Sequence, residues 1–239
     1  MNWERPKNIP FPNVWLKFKA KDLNSDNLVD YIVQDLPESY YDKAMEHMQK
    51  YFLRDESICK SIDLINDEVG NRNCCKCWED FIRNDKCSLV CFKMGSDEIV
   101  GLNIIYIETK SNKVVIDSKS DKFMKINRAI AYCTDEAKVY ETYGIDKYLS
   151  AFGLSVDPKY RGRGIGEQIL RARIPLCKSL GIDVTSTSFT GKASQRSAEK
   201  CGFTVQFEET YENLAKLKDE YNFPNINEKS LKIMSMKIE

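Results

Sequence analysis

The sequence holds a single histidine, His47, in 239 residues. That scarcity removes Ser-His-Asp and Cys-His nucleophilic schemes unless His47 itself is the base, and its neighbours Met45, Glu46 and Met48 place it on a helix face instead. An excess of charge is also lacking, since 36 basic side chains balance 36 acidic ones. Nucleic-acid binding draws on clustered Lys and Arg, because its affinity comes from released counterions, so no nucleic-acid partner is expected. The short basic stretch of Arg161, Arg163, Arg171 and Arg173 suits a few phosphates better than a polymer. Long apolar runs are missing too. Residues 99–107 form the longest strongly apolar stretch, far below the about 20 residues that cross a bilayer. The first twelve residues carry prolines and charges but no apolar core of a secretory signal. These absences predict a cytoplasmic protein with no membrane partner.

Cysteine, by contrast, is plentiful. Nine are present, an odd number with irregular spacing, which fits free thiols in a reducing compartment. Cys74, Cys77, Cys87 and Cys91 have a spacing that zinc sites share. However, Cys87 and Cys91 fall on one face of an expected strand and Cys74 and Cys77 at the end of an expected helix. They read as small buried hydrophobes, so no metal is expected. With 42% hydrophobic and 30% charged residues, the chain has the balance of a globular protein whose core needs no staple. No repeat, linker or low-complexity segment divides it, and residues 1–239 read as one mixed α/β domain.

Alternation over residues 14–19 predicts a first strand. Asn24-Ser25-Asp26 reads as an N-cap for a helix carrying Leu28, Tyr31, Ile32 and Leu36, ended by Pro37. Further helices are expected over residues 41–53 and much of 58–82, the latter interrupted near Gly70. Residues 86–94 and 99–109, rich in Val, Ile, Leu and Phe, flank Gly95-Ser96-Asp97-Glu98 and predict a β-hairpin. The polar residues 110–122 suggest a surface excursion, followed by a helix near 136–143. A buried strand over 148–156 is halted by Asp157-Pro158. An amphipathic helix follows over 165–180, kinked at Pro175 and closed by Gly181. A strand at 182–189, a short helix at 193–201 stopped by Gly202, and strands at 203–210 and 231–238 complete the order.

The most informative segment runs from Leu154-Ser155-Val156 through Asp157-Pro158-Lys159-Tyr160 to Arg161-Gly162-Arg163-Gly164-Ile165-Gly166. A strand ends and a glycine-spaced basic loop opens a helix. Glycines let backbone approach a ligand with no Cβ in the way, and the first helical N–H groups lack internal partners at the positive end of the dipole. Together they make a cradle fit for a diphosphate. A Walker A loop needs Lys-Ser/Thr after its last glycine, and a dinucleotide fingerprint needs its third glycine three places after the second. Neither spacing is met here.

Arg161-x-x-Gly164-x-Gly166 resembles the Gln/Arg-x-x-Gly-x-Gly/Ala signature of the GCN5-related N-acetyltransferase (GNAT) superfamily. The setting strengthens the likeness: the motif joins a strand to an amphipathic helix, and Ala198-Glu199-Lys200-Cys201-Gly202-Phe203 follows as a helix-turn-strand. Within the superfamily the chain is similar to the insect arylalkylamine N-acetyltransferases over nearly its whole length. Tyr51-Phe52-Leu53-Arg54-Asp55-Glu56-Ser57-Ile58 is similar to their Phe-Phe-x-Asp-Glu-Pro-Leu, and Ser194-Gln195-Arg196 leads into Glu199-Lys200-Cys201-Gly202-Phe203 as theirs does. The resemblance implies an α/β (α+β) GNAT fold, with a mixed, mostly antiparallel seven-stranded sheet flanked by helices and split between strands 4 and 5.

It also implies acetyl-CoA as cosubstrate, bound by Leu154, Ser155, Val156, Arg161, Gly162, Arg163, Gly164, Ile165 and Gly166. The other partner is a small-molecule amine, acetylated by a monomer or weak dimer. A biogenic amine is mostly a cation near neutral pH and must lose a proton before it attacks; a carboxylate can take that proton. The resemblance puts this role on Glu56, oxyanion donors on backbone N–H groups at the end of the 154–156 strand, and the acid for the departing thiolate on Ser194, with Thr190. Without a plausible acyl-enzyme nucleophile, acetyl-CoA binds first and the acetyl group moves directly. Plainer roles stand beside these: Asp55 and Glu56 can cap the following helix, and Ser194 can be the N-cap of its own. Ser57 replaces the family's Pro, and Thr190-Gly191-Lys192-Ala193 replaces its usual Ser-containing approach, both near the expected amine site. A protein or peptide acceptor, or a non-catalytic acyl-CoA-binding protein, are the alternatives.

Overall fold

The computed structural model describes residues 3–239. Its chain opens with a β-hairpin: β1 (Val14–Lys21) pairs antiparallel with β2 (Leu28–Asp35), Phe18 opposite Tyr31. The expected helix over 28–36 is therefore a strand. Leu28, Tyr31, Ile32 and Leu36 fit a helical face, but Val29, Tyr31, Val33 and Asp35 fit a pleat equally well. The β-branched and aromatic content favours the pleat. Tyr31 and Val33 are fully buried on it, and Asn24, at φ 53°, takes the turn that had resembled a helix cap.

Next comes α1 (Tyr41–His47), continued by a π-helical turn over Met48–Phe52 and the short α2 (Leu53–Asp55). Glu56 breaks this helix with extended backbone, ψ 132°, and α3 (Ser57–Ser61) starts behind it. The following α4 (Glu68–Asp85) is capped by Asp67, whose carboxylate accepts from Gly70 N at 2.9 Å. Gly70 thus lies inside the first turn and interrupts nothing; the break falls at residues 62–67, where Asp63 has φ 55°.

β3 (Leu89–Lys93) and β4 (Ile99–Thr109) form the expected hairpin. Beyond the polar excursion the structure has α5 (Asp121–Glu136), sixteen residues long, and only then the short α6 (Val139–Tyr143). Ser120 caps α5, and Phe123, Ile126, Ala129 and Cys133 face inward at helical spacing, a signal that the surrounding lysines and aspartates obscure. β5 (Lys147–Val156), α7 (Ile165–Leu180, running through Pro175), β6 (Val184–Phe189) and α8 (Lys192–Cys201) follow as expected. β7 (Thr204–Thr210), α9 (Tyr211–Leu217) and β8 (Ser230–Lys237) finish the chain. Gly181 and Gly202 close their helices at φ 63° and 95°.

The sheet has eight strands, not seven, in the order β1-β2-β3-β4-β5-β6-β8-β7. The extra one is β2. Every neighbouring pair is antiparallel except β5–β6, which is parallel and in register at one pair, Leu149 with Thr185. These are the two strands between which the sequence placed a split, renumbered by the added strand. Helices cover both faces. Trp78, Leu102 and Phe123 centre one core; Tyr31, Leu89, Ile169 and Leu176 centre the other. Cys74 lies in the first and Cys87 and Cys91 in the second, so the sheet separates them. Among the described residues no three His, Cys, Asp or Glu side chains gather to hold a metal, and no helix is long and apolar enough to cross a membrane.

The N-terminal segment is tied to the first hairpin by one buried ion pair. Arg5 reaches Asp35 at 2.7 Å and the Lys86 carbonyl at 2.6 Å, and Trp15 donates its indole N–H to the same carboxylate at 2.7 Å.

Candidate functional site

Past Leu149 the β6-facing backbone of β5 has no ladder partner. The strand bends there: Gly153 has φ 127°, and a Cβ on it would stand 2.8 Å from Met48 Cε and 3.0 Å from Phe52 Cε2. The neighbouring carbonyls are held from the β4 and α4 side, Gly153 O by Asn103 Nδ2 and Phe152 O by Trp78 Nε1, both at 2.8 Å. The second half of β5 is thereby presented to an open cavity of about 1680 Å³ and is not buried throughout.

At one end of that cavity lies the glycine loop. Gly162 and Gly164 have φ 77° and 75°, a region that strains other residues, and a Cβ on either would meet nothing within 4 Å. Gly164 is the N-cap of α7 and offers no side chain, so the first N–H groups of a sixteen-residue helix stay uncapped. Gly166 is already helical, with room for a methyl 3.6 Å from Leu154 Cδ2. Arg161 is fixed by donating to Val156 O at 3.0 Å and to Asp55 Oδ2 at 2.6 Å. Leu154, Ser155, Val156, Arg161, Gly162, Gly164, Ile165 and Gly166 all border the cavity. Arg163 does not. Its guanidinium turns back onto the carbonyls of Lys159, Arg161 and Asp22.

Glu56 borders the same space, and both of its carboxylate oxygens are engaged. Oε1 accepts a short hydrogen bond from the Thr190 hydroxyl, and Oε2 accepts from Cys59 N at 2.7 Å. Glu56 is thus the N-cap of α3 and a cavity residue at once, so the capping role leaves its carboxylate at the cavity. Thr190 follows β6, where the strand has left β5, and its proton is committed to Glu56. Ser194 is not the N-cap of its helix. Gly191 is, and the Ser194 hydroxyl donates back to Gly191 O at 2.8 Å.

Two residues near this corner escaped the sequence reading. Tyr211, at the start of α9, donates its hydroxyl to Thr190 O at 2.7 Å, and burial, with the negative charge of Glu56 and then Glu228 adding to it, pushes its phenol far above its ordinary range. Glu228 accepts from Lys192 N at 2.9 Å, closing the start of α8 where Gly191 has no side chain to do so. No local pattern marks either residue. Both arrive through packing of the segment between β7 and β8.

His47 is buried against Tyr51, ring centroids 4.9 Å apart, and burial pulls it down to about 4 despite nearby Asp157. It is a neutral residue of the α1 face, apart from the cavity lining. Cys59 and Cys74 do border the cavity, but burial drives both thiols well above their ordinary value. Thiolates, not thiols, are nucleophiles, so neither suits an acyl-enzyme.

Comparison with known proteins gives a consistent result. The model of the acetyltransferase (GNAT) family matches residues 26–203. Among solved structures, a protein of the yellow fever mosquito Aedes aegypti, provisionally designated arylalkylamine N-acetyltransferase 7, is 45% identical, with a TM-score of 0.97 over 99% of this chain and 100% of that one. Arylalkylamine N-acetyltransferase 2 of the same mosquito is 22% identical, with a TM-score of 0.77 over 87% and 99% of the two chains, and shares the fold. So does a polyamine N-acetyltransferase of Drosophila melanogaster that forms N-acetylagmatine, at 14% identity and a TM-score of 0.67 over 87% and 100%. A search of curated proteins gives no significant match.

Proposed function

The chain belongs to the acetyltransferase (GNAT) family, and we propose that it transfers the acetyl group of acetyl-CoA to the free amine of a small arylalkylamine. One observation carries this reading: a fixed carboxylate, Glu56, and an uncapped glycine-loop helix start open onto one cavity. Phe52, Phe123 and Phe152 line the same cavity, which favours an aryl-bearing amine.

The residues present fit acetyl-CoA. Gly162 and Gly164 leave open space where side chains would stand, and the unpartnered N–H groups at the start of α7 suit a diphosphate. When bound, acetyl-CoA supplies a thioester carbon open to a neutral nitrogen.

Glu56 takes the proton of the incoming ammonium, directly or through water. Each of its oxygens keeps a lone pair beyond the bond it already accepts, so it can act without releasing Thr190 or Cys59. Thr190 orients the base. Backbone N–H groups of Leu154–Val156, freed by the divergence of β5 and β6, serve as donors to developing oxygen charge. Ser194 is assigned the proton for the departing sulfur; its hydroxyl leaves Gly191 O by a single rotamer change. Two protons leave the ammonium in total, one accounted for on sulfur and one in solvent. The raised thiols of Cys59 and Cys74 favour direct transfer over a covalent enzyme intermediate.

The test is an acetyl-CoA assay over tyramine, tryptamine, agmatine, spermidine and a histone-like peptide. Turnover strongest with the arylalkylamines supports the reading. Turnover confined to the peptide makes it a protein acetyltransferase, and CoA binding with no turnover on any amine makes it a binding protein.

A further inference from the structure

A sheet that opens between two strands needs something to fill the wedge. Here the filler is Arg173 of α7, 1% exposed. Its Nε and Nη2 both donate to Asn103 Oδ1, at 3.0 and 2.8 Å. Its Nη1 donates to Thr185 Oγ1 at 3.2 Å and Thr187 Oγ1 at 2.8 Å. Asn103 sits opposite Leu154 in the β4–β5 ladder and holds the Gly153 carbonyl, while Thr185 donates to Leu149 O at 2.9 Å. One guanidinium therefore reaches both banks of the split, β5 through Asn103 and β6 through two threonines.

Every one of those acceptors is neutral. No carboxylate is among the groups that act on Arg173; the titratable groups beside it are the thiols Cys177, Cys201 and Cys87, which burial keeps protonated and neutral, and burial pulls the guanidinium down to about 10. Burying a cation without a counter-charge costs stability, and an apolar side chain of like volume often fills such a space more favourably. The same helix supplies Ile169, Ala172, Leu176 and Cys177, all apolar and buried. Packing alone does not call for an arginine. The missing counter-charge is the kind that acyl transfer creates, and Arg173 borders the cavity in which it would form.

We propose that Arg173 is a positioning residue for acyl transfer, whose unneutralised charge in the wedge between β5 and β6 stabilises negative charge developing beside Leu154–Val156, and whose bonds to Asn103 fix the Gly153 carbonyl. The inference rests on the acetyl-CoA reading above. It adds no bond to the reaction: nitrogen bonds the acyl carbon, the C–S bond breaks with its electron pair on sulfur, and the two ammonium protons go to sulfur and solvent as before. What Arg173 contributes is the field in which sulfur departs, acting at low dielectric where a fixed charge is felt strongly.

The experiment titrates the thiol of protein-bound CoA by its ultraviolet thiolate absorbance, in the wild type, Arg173→Met and Arg173→Lys, with CoA affinity by calorimetry and Tm recorded alongside. In the wild type the bound thiol should titrate below free CoA. Arg173→Met should raise that titration by about one pH unit or more and lower kcat by roughly ten- to a hundredfold with KM for the amine little changed, somewhat less than loss of a direct oxyanion donor. Arg173→Lys keeps the charge without the fork, and should hold the low titration while kcat falls. It also decides the matter if the Met variant does not fold. Identical thiol titrations in the wild type and a folded variant that lacks the charge overturn the proposal while leaving acetyl-CoA use intact, as does a lysine variant that titrates like free CoA. Failure of the wild type to bind CoA overturns both.

Discussion

Thr190 donates its hydroxyl to the Glu56 carboxylate across 134 positions of sequence, joining the end of β6 to the start of α3 at the mouth of the cavity. The bond fixes one oxygen of the proposed base while the Cys59 N–H fixes the other. A carboxylate held at both oxygens cannot swing away from its substrate.

Removing that base separates its two jobs. Glu56→Gln keeps an acceptor for the Cys59 N–H but no basicity, and should cut kcat/KM by roughly 10²–10⁴ near neutral pH with little change in Tm. Glu56→Ala should lose the same activity and also about 1 kcal/mol of stability, the usual cost of a lost N-cap. Steady-state kinetics and thermal melting read the two effects independently. Unchanged rates in both variants would remove Glu56 from the chemistry.

Thr190 is expected to matter through its hydroxyl alone. Thr190→Ser should stay within about threefold of wild-type kcat, whereas Thr190→Val should lose roughly tenfold, the scale of one hydrogen bond to a charged group. If Val and Ser behave alike, the bond does not orient the base.

The glycines of the loop should differ in what they tolerate. Gly164→Ala forces a side chain into φ 75° and should lower stability by about 1–2 kcal/mol while weakening CoA binding. Gly166→Ala lies on helical backbone with its Cβ at ordinary contact distance, so it should retain activity and gain roughly 0.5–1 kcal/mol. Calorimetry with CoA and chemical denaturation distinguish them. Equal losses at the two positions would count against the backbone argument.

Asp85 gives a pH-dependent stability test away from the site. Burial raises its carboxyl to about 6, against one hydrogen bond accepted from Ile107 N at 2.6 Å. A carboxyl raised on folding favours the protonated form, so its contribution is intact below pH about 4 and is lost as pH rises through about 6. Asp85→Asn should therefore leave stability unchanged near pH 4 and add on the order of 2–3 kcal/mol near pH 8. A Tm difference independent of pH would mean that Asp85 does not titrate in this way.

The glycine loop and Asp55-Glu56 were legible because each is a short run whose chemistry depends on adjacent residues. Most helices and strands were legible for the same reason. The 28–35 segment was not, since its apolar residues satisfy two periodicities and only pairing with β1 and β3 decides between them. The start of α5 was hidden by the charges on its outer face. Within the site, Thr190 could be singled out by resemblance but not its bond to Glu56. Tyr211, Glu228, Asn103 and Arg173 acquire their roles from strands and loops distant in sequence, a relation that no local spacing encodes.

The Arg5–Asp35 pair carries a practical consequence for anyone handling the protein. Trimming the chain past residue 5, or replacing Arg5, strands a carboxylate in the interior at a cost of about 3–5 kcal/mol, a large share of what holds a domain together. Preparations that differ only in their leading few amino acids would then differ in yield and shelf life, although Asp35 lies on β2, three strands away from the β5 bank of the cavity.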